Sequence, residues 1–300
     1  MEKITIIGSE SFISQNLIRY LNVYHKGEFE FFCYDYISEN DSKSPNYKQI
    51  DFSKDEDVSK INFNVDSVLI FTGKTGTVNG FLNFESFVVV NEVFLLRILN
   101  EYVKQCSKAK LFYPSSRLIY KSNNYNLINE NSERELKSIY AVTKQNAENY
   151  LKLYNHAFGL DYVILRICTP FGSIIDSDGN YGTFEIFRKQ AKEKGFVTIF
   201  GDGNDRKTYT NIVDVCEAFY ILMTAKKMKY RDYNLGGYAF SMNEAVSLIV
   251  KDLNVEVFHA PWPKDYLKVD GGTVVFDSSR FDNEFNMIYH TINFIKEKKE

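Results

Sequence analysis

Histidine and cysteine are few in this sequence, and none are spaced as metal ligands usually are. Its four histidines (His25, His156, His259 and His290) show no H-x-x-H spacing and no pairing with cysteine, which argues against a metal enzyme. The four cysteines (Cys33, Cys106, Cys168 and Cys216) are equally scattered, and Cys33 and Cys168 lie in apolar, strand-like runs. They read as reduced residues in or near the core of a cytoplasmic protein. No apolar run approaches the roughly 18 residues needed to cross a bilayer. The first residues, Met1–Gly8, begin a strand at once, so neither a membrane span nor a signal peptide is expected. A basic excess is also missing: the net charge is −3 with both signs interspersed, which leaves no electrostatic footprint for nucleic acid. Internal repeats, low-complexity stretches and long linkers are absent. What remains is 300 residues, 44% hydrophobic and 16% aromatic, enough for one large α/β domain or two small ones.

The first half alternates strand and helix signals. Strands are expected at Lys3–Ile7, Glu30–Tyr34, Ser67–Phe71, Lys110–Tyr113 and Asp161–Arg166, and helices at Phe12–Val23, Phe84–Cys106 and Ile139–Phe158. Such alternation predicts a parallel sheet with helices on both faces. The second half is less regular. A loop is expected at Thr169–Thr183, which holds Pro170, Gly172, Gly179 and Gly182. Helices follow at Phe184–Lys194, near Val213 and at Met242–Leu253, with a strand around Tyr233–Leu235. The tail Lys296–Glu300 reads as a solvated helix end.

Gly8 falls between the first strand and the first helix, where a dinucleotide pyrophosphate meets a helix N-terminus. The expected fingerprint has three glycines three apart, and here the series is Gly8, Ser11 and Ser14. A left-handed backbone at Ser11 would cost about 1–2 kcal/mol, or its hydroxyl could help to bind phosphate instead. Asp35 ends the second strand, 27 residues after Gly8, near the position at which a carboxylate takes a ribose 2′-hydroxyl. It would repel a 2′-phosphate, which favours NAD over NADP, although a turn-starting aspartate is the plainer reading. Asp51 could meet the adenine amino group or sit in a solvated turn. Lys74 could touch phosphate or simply face solvent.

Tyr140 and Lys144 stand four residues apart on a predicted helix, with Ser116 placed 24 residues before the tyrosine. Residues i and i+4 share a helix face, so the ammonium would lie near the phenol. A free phenol, with a pKa of about 10, is a poor base at neutral pH, and a nearby fixed positive charge favours the phenolate. Alone, a Tyr-x-x-x-Lys is also what ordinary helix packing produces in a chain with 21 tyrosines.

Taken in order along the chain, these segments resemble the extended short-chain dehydrogenase/reductase family, in its NAD-dependent nucleotide-sugar epimerase/dehydratase branch. Gly8 to Asp35 resembles the cofactor strand, turn and helix, with Ser11, Phe12, Ile13, Thr72 and Gly73 falling at cofactor positions. Asn91 in Val90-Asn91-Glu92 resembles the asparagine of the long interface helix. Tyr113-Pro114-Ser115-Ser116 through Tyr120 resembles the strand end that supplies a catalytic hydroxyl at Ser116, and Tyr140 and Lys144 fall on the catalytic pair. Leu165–Gly172 resembles the entry to the substrate loop, with Thr169 where asparagine is usual. Gly201-Asp202-Gly203 through Asp214 resembles a glycine-rich turn leading to an arginine. Counting back without gaps places Lys207 there and Arg206 one earlier, with Arg206 slightly favoured for the substrate diphosphate. Phe276–Arg280 resembles a late Asp-x-Ser-Arg segment. A usual proline-containing segment near the end is missing.

The resemblance implies an α/β fold: a Rossmann-type doubly wound parallel sheet with a smaller C-terminal substrate-capping domain. Residues 1–166 and 204–226 would bind the dinucleotide, and 167–203 and 227–300 the substrate. It further implies NAD as cofactor, a nucleotide-diphosphate sugar as substrate, and a homodimer formed through helices Phe84–Cys106 and Ile139–Phe158. Tyr140 would take the proton from the sugar 4-hydroxyl while hydride leaves for NAD, with Ser116 on the developing keto oxygen. The dehydratases of this branch carry Asp and Glu directly after the hydroxyl residue, where this chain has Arg117 and Leu118. The fucose-synthase kind carries cysteine where Arg117 stands. An epimerase acting through a transient 4-keto sugar needs no further group. Two alternatives stay open: a nucleotide-keto-sugar reductase using NAD(P)H, and a non-enzymatic regulatory protein that binds NAD or sugar nucleotide.

Overall fold

The computed structural model describes residues 1–175, 182–251 and 253–290. The first half alternates as its periodicity requires. In order come β1 (Glu2–Ile7), α1 (Phe12–Tyr24), β2 (Phe29–Asp35), β3 (Tyr47–Gln49), α2 (Asp55–Val58) and β4 (Ser67–Ile70). Two short helices follow, α3 (Val78–Leu82) and α4 (Phe84–Val88), and α4 continues through one π-helical segment, Val89–Val93, into α5 (Phe94–Lys104). Then come β5 (Lys110–Ser116), α6 (Ile139–Phe158) and β6 (Tyr162–Ile167). The second half contains β7 (Thr169–Phe171), α7 (Thr183–Lys194), β8 (Phe196–Phe200), β9 (Arg206–Asn211), α8 (Ile212–Thr224), β10 (Asp232–Asn234) and β11 (Tyr238–Ser241). It closes with α9 (Met242–Val250), β12 (Glu256–Ala260), α10 (Lys264–Val269) and α11 (Ser279–Phe285).

Seven strands form one sheet in the order β10-β6-β5-β4-β1-β2-β3, and every pairing is parallel. A parallel sheet buries both faces, so its strands carry apolar residues in both directions. Ile4 and Ile6 of β1 pack with Leu17 of α1 and Phe219 of α8 on one side. Ile7 packs with Leu95 of α5 and Leu151 of α6 on the other. The connections reverse between β1 and β4, which opens a crevice outside their carboxyl ends. A smaller body rests on a second sheet, β11-β9-β7, and a pair, β12-β8, around Phe171, Phe184, Tyr209 and Val246. No described helix is long and apolar enough to cross a membrane.

Three details differ from the sequence reading. The expected loop at Thr169–Thr183 opens with strand β7, which pairs in parallel with β9; its residues Gly179 and neighbours 176–181 lie outside the described residues, as does the tail 296–300. The expected helix Phe84–Cys106 is continuous but carries the wide turn at Val89–Val93. The expected division at 204–226 and 227–300 also shifts. β9 pairs within the small sheet, whereas β10 completes the edge of the large one beside β6.

Candidate active site

At the crevice the chain turns from β1 into α1 through Gly8, whose φ of +85° suits glycine. A Cβ there would stand 2.4 Å from the Thr72 backbone nitrogen, so only glycine lets the ends of β1 and β4 approach. Ser11 does not take the left-handed backbone: it is extended (φ −69°, ψ 157°) and caps α1, its hydroxyl accepting from the Ser14 backbone N–H. Ser14 in turn donates to the Gly8 carbonyl at 2.9 Å. The two serines therefore stitch the turn that glycines would otherwise leave open.

A cavity of about 600 Å³ follows, lined by Gly8, Ser11, Asp35, Asp51, Thr72 and Gly73 among others. The Asp35 carboxylate is buried and accepts backbone N–H bonds from Glu10 at 2.9 Å and Tyr36 at 2.7 Å. Burial raises its pKa above the usual carboxylate value, and those two bonds work against the rise. Asp51 accepts from both the Ser53 backbone and its hydroxyl, which hold its pKa low. The Thr72 hydroxyl is buried here without a partner among the described residues. Lys74 donates from its ammonium to the Ser86 hydroxyl. A glycine-tight turn, the N-terminus of a thirteen-residue helix and an unsatisfied hydroxyl at the switch point fit a dinucleotide.

Asn91 occupies a different place. It is buried in the π segment, accepting from the Lys74 N–H at 2.7 Å and donating to the Lys74 carbonyl and the Thr143 hydroxyl. It thereby fastens the segment that bears Thr72 and Gly73 to helix α6.

The adjoining cavity, about 760 Å³, brings together Phe12, Ile13, Gly73, Ser116, Tyr140, Lys144 and Thr169. Ser138 caps α6, its hydroxyl accepting from the Ala141 N–H at 3.1 Å, and the helical repeat then sets Tyr140 and Lys144 on one face. The Lys144 ammonium lies 6.0 Å from the Tyr140 ring centroid. It donates to the Pro114 carbonyl at 2.8 Å and to the Tyr113 hydroxyl at 3.1 Å. Burial lowers its pKa to about 7, partly opposed by the charge of Glu148. The Ser116 hydroxyl accepts from the Leu118 N–H at 3.2 Å at the end of β5. Tyr113 carried no spacing signal in the sequence and was missed. Arg117, also in this wall, is the single charge in the run Leu111–Tyr120.

The two candidates for the diphosphate separate by strand alternation. The Arg206 guanidinium is held by both carboxylate oxygens of Glu244, at 3.0 and 2.8 Å, and by the Ala239 carbonyl. Lys207 points inward, is buried, and pairs with Asp270 at 3.7 Å. Burial and then the neighbouring charge of Arg117 lower its pKa. The structure thus groups Lys207, not the slightly favoured Arg206, with Arg117.

The model of the NAD dependent epimerase/dehydratase family matches residues 4–236, and the chain belongs to that family. NAD is the cofactor that this membership brings. A Methanocaldococcus jannaschii protein provisionally named UDP-glucose 4-epimerase is 29% identical over 205 residues, covering 67% of this chain and 66% of that protein. A UDP-glucuronate 4-epimerase of Thermodesulfobacterium geofontis is 27% identical over 69% of this chain and 64% of its own length. The chain thus spans somewhat under two-thirds of the length of these relatives. Among solved structures, the Thermus thermophilus UDP-glucose 4-epimerase in complex with NAD superposes with a TM-score of 0.80 at 20% identity, covering 94% of this chain and 93% of that one. These structural likenesses speak for the fold.

Proposed function

We propose that the chain is an NAD-dependent nucleotide-sugar 4-epimerase working through a transient 4-keto sugar. The observation that carries this reading is that Ser116, Tyr140 and Lys144 line one cavity beside the switch-point groove. When bound, NAD supplies the acceptor, and later the donor, of hydride at the sugar carbon. Tyr140 takes the proton of the sugar hydroxyl and returns it after the ring has presented its other face. The Lys144 ammonium stabilises negative charge on that oxygen, and Ser116 hydrogen-bonds the oxygen that becomes a ketone. Gly8, Ser11, Phe12 and Ile13 would hold the pyrophosphate, Asp35 the ribose and Asp51 the adenine, while Thr72 and Gly73 flank the nicotinamide side. Asn91 would act on the cofactor through the Lys74 backbone, and Thr169 and Lys207 on the substrate.

Elimination of water would need an acid and a base on the sugar, and the described residues lining this cavity include neither aspartate nor glutamate. That favours epimerisation over dehydration, as do the relatives named as 4-epimerases. All four cysteines are free, which suits the reducing cytoplasm, where nucleotide sugars would be at hand. The test is single-turnover reduction of bound NAD, read by absorbance after a sugar nucleotide is added. Tyr140→Phe should still bind the sugar nucleotide but slow this step by about 10²–10⁴-fold, and Ser116→Ala should slow it less. Wild-type rates in Tyr140→Phe would refute the mechanism.

A further inference from the structure

Arg117 follows Ser116 directly in the chain, and both line the same cavity. Its buried Nη1 has no hydrogen-bond partner among the described residues. Position 271 is glycine, and a Cβ there would stand 2.6 Å from Nη1. The cation is therefore packed into place without being paired. The carboxylates of this neighbourhood, Asp270 and Asp205, are engaged elsewhere: Asp270 by Lys207 at 3.7 Å and Asp205 by the Thr273 hydroxyl at 3.1 Å. Of the residues lining the catalytic cavity, the charged ones are Arg117 and Lys144, both cationic. The Tyr209 hydroxyl, within electrostatic range of Arg117, is likewise buried without a partner.

Arg117 is half-buried, and leaving its buried Nη1 without an acceptor is costly, because desolvation of that group is not offset. The natural offset is an anion that arrives with the substrate. A planar guanidinium is matched by a carboxylate, which can accept two parallel N–H bonds. Leu118, Cys168, Thr169 and Pro170 share this wall, so the guanidinium lies among substrate-side residues and away from the nucleotide groove. We propose that the substrate is a nucleotide-linked sugar acid, whose carboxylate, close to the reacting hydroxyl, is received by Arg117. This deepens the epimerase reading and rests on it.

The experiment compares UDP-glucuronate and UDP-glucose, which share base, diphosphate and ring, as titrants of the NAD-loaded protein by calorimetry. The wild type should bind the uronate about ten- to a hundredfold more tightly, the range expected of a hydrogen bond to a charged group. Arg117→Met should bring that ratio close to one, and Arg117→Lys, which keeps the charge but loses the fork, should restore part of it. NAD binding by each variant verifies that it is folded. Equal affinities in the wild type would overturn the proposal, while NAD reduction by UDP-glucose would leave the epimerase reading standing. A ratio unchanged in Arg117→Met, with both ligands weakened alike, would also overturn it and assign the guanidinium to the diphosphate. Binding of neither compound would sink this proposal together with the epimerase reading.

Discussion

The ammonium of Lys144 is out of water and has three protons to donate, yet among the described residues it meets two acceptors, the Tyr113 hydroxyl and the Pro114 carbonyl. One N–H is left for a ligand. Its pKa falls from 10.5 to about 7 because burial penalises the charged form. Folding therefore excludes a proton between those two values. The folded chain binds fewer protons than the unfolded one in that window, so this group adds stability as pH rises from about 7 towards 10.5. Below about 7 the ammonium is charged in both states and the burial penalty stays in full. NMR of the ligand-free protein with labelled lysines should show one side chain titrating near 7, and Lys144→Met should remove that signal. A spectrum in which every lysine titrates near 10 would contradict the burial described here.

At the scale of elements, α6, which carries Tyr140 and Lys144, is joined to β6 by a buried ion pair. Arg166 donates to both Glu148 oxygens, at 2.8 and 2.7 Å, and Ser115 of β5 donates to the same carboxylate at 2.6 Å. Burial alone would raise the Glu148 pKa, but these bonds and the arginine charge bring it below the usual value. Glu148→Gln keeps the shape and leaves Arg166 partly unpaired, and breaking such a pair costs about 3–5 kcal/mol. Urea denaturation at neutral pH should show that loss; a change below about 1 kcal/mol, the level of an exposed pair, would mean that water reaches the site.

Strands β1, β2 and β5 and helix α6 were legible because their apolar periods are long and their flanks carry clear turns. Strand β7 was not. Its three residues include Pro170 and precede Gly172, and they pair because β9 brings Tyr209 from 40 residues further on opposite Thr169. The choice between Arg206 and Lys207 depended on which face of β9 is covered, and adjacent residues of a strand take opposite faces. Ser11 and Ser14 look like losses when compared with a glycine pattern. Their hydroxyls replace with hydrogen bonds what the pattern obtains by flexibility, and spacing alone could not show this. Arg117 registered in the sequence only as a missing acid. Its lack of a partner is a property of the packed wall.

For the whole molecule, the open question is what covers the outer faces of α4, the π segment and α6. Phe84, Val88, Val89, Val93, Leu153 and Phe158 there are between 36% and 58% exposed. Apolar side chains concentrated on two adjacent helices favour association, and a two-fold pairing of this surface would make a homodimer. Light scattering at micromolar concentration should give twice the chain mass of 34.9 kDa, and Val89→Glu with Leu153→Glu should halve it. A monomeric wild type would remove the claim. The helix that would serve this surface also carries Asn91 on its inner side, inside the wide turn at Val89–Val93. A turn closed from i to i+5 takes up one residue more than an α turn. The flanks before and after it therefore keep the faces they would show in a plain helix with one residue fewer. Shortening the chain by one there would leave the outer stripe and the Leu95–Leu99 stripe in register and disturb the inner contacts, those of Asn91 with the Lys74 backbone and of Glu92 with Asn146 and Tyr150. The inner contacts of this segment and its outer apolar stripe can thus change in length independently, although one rod carries both.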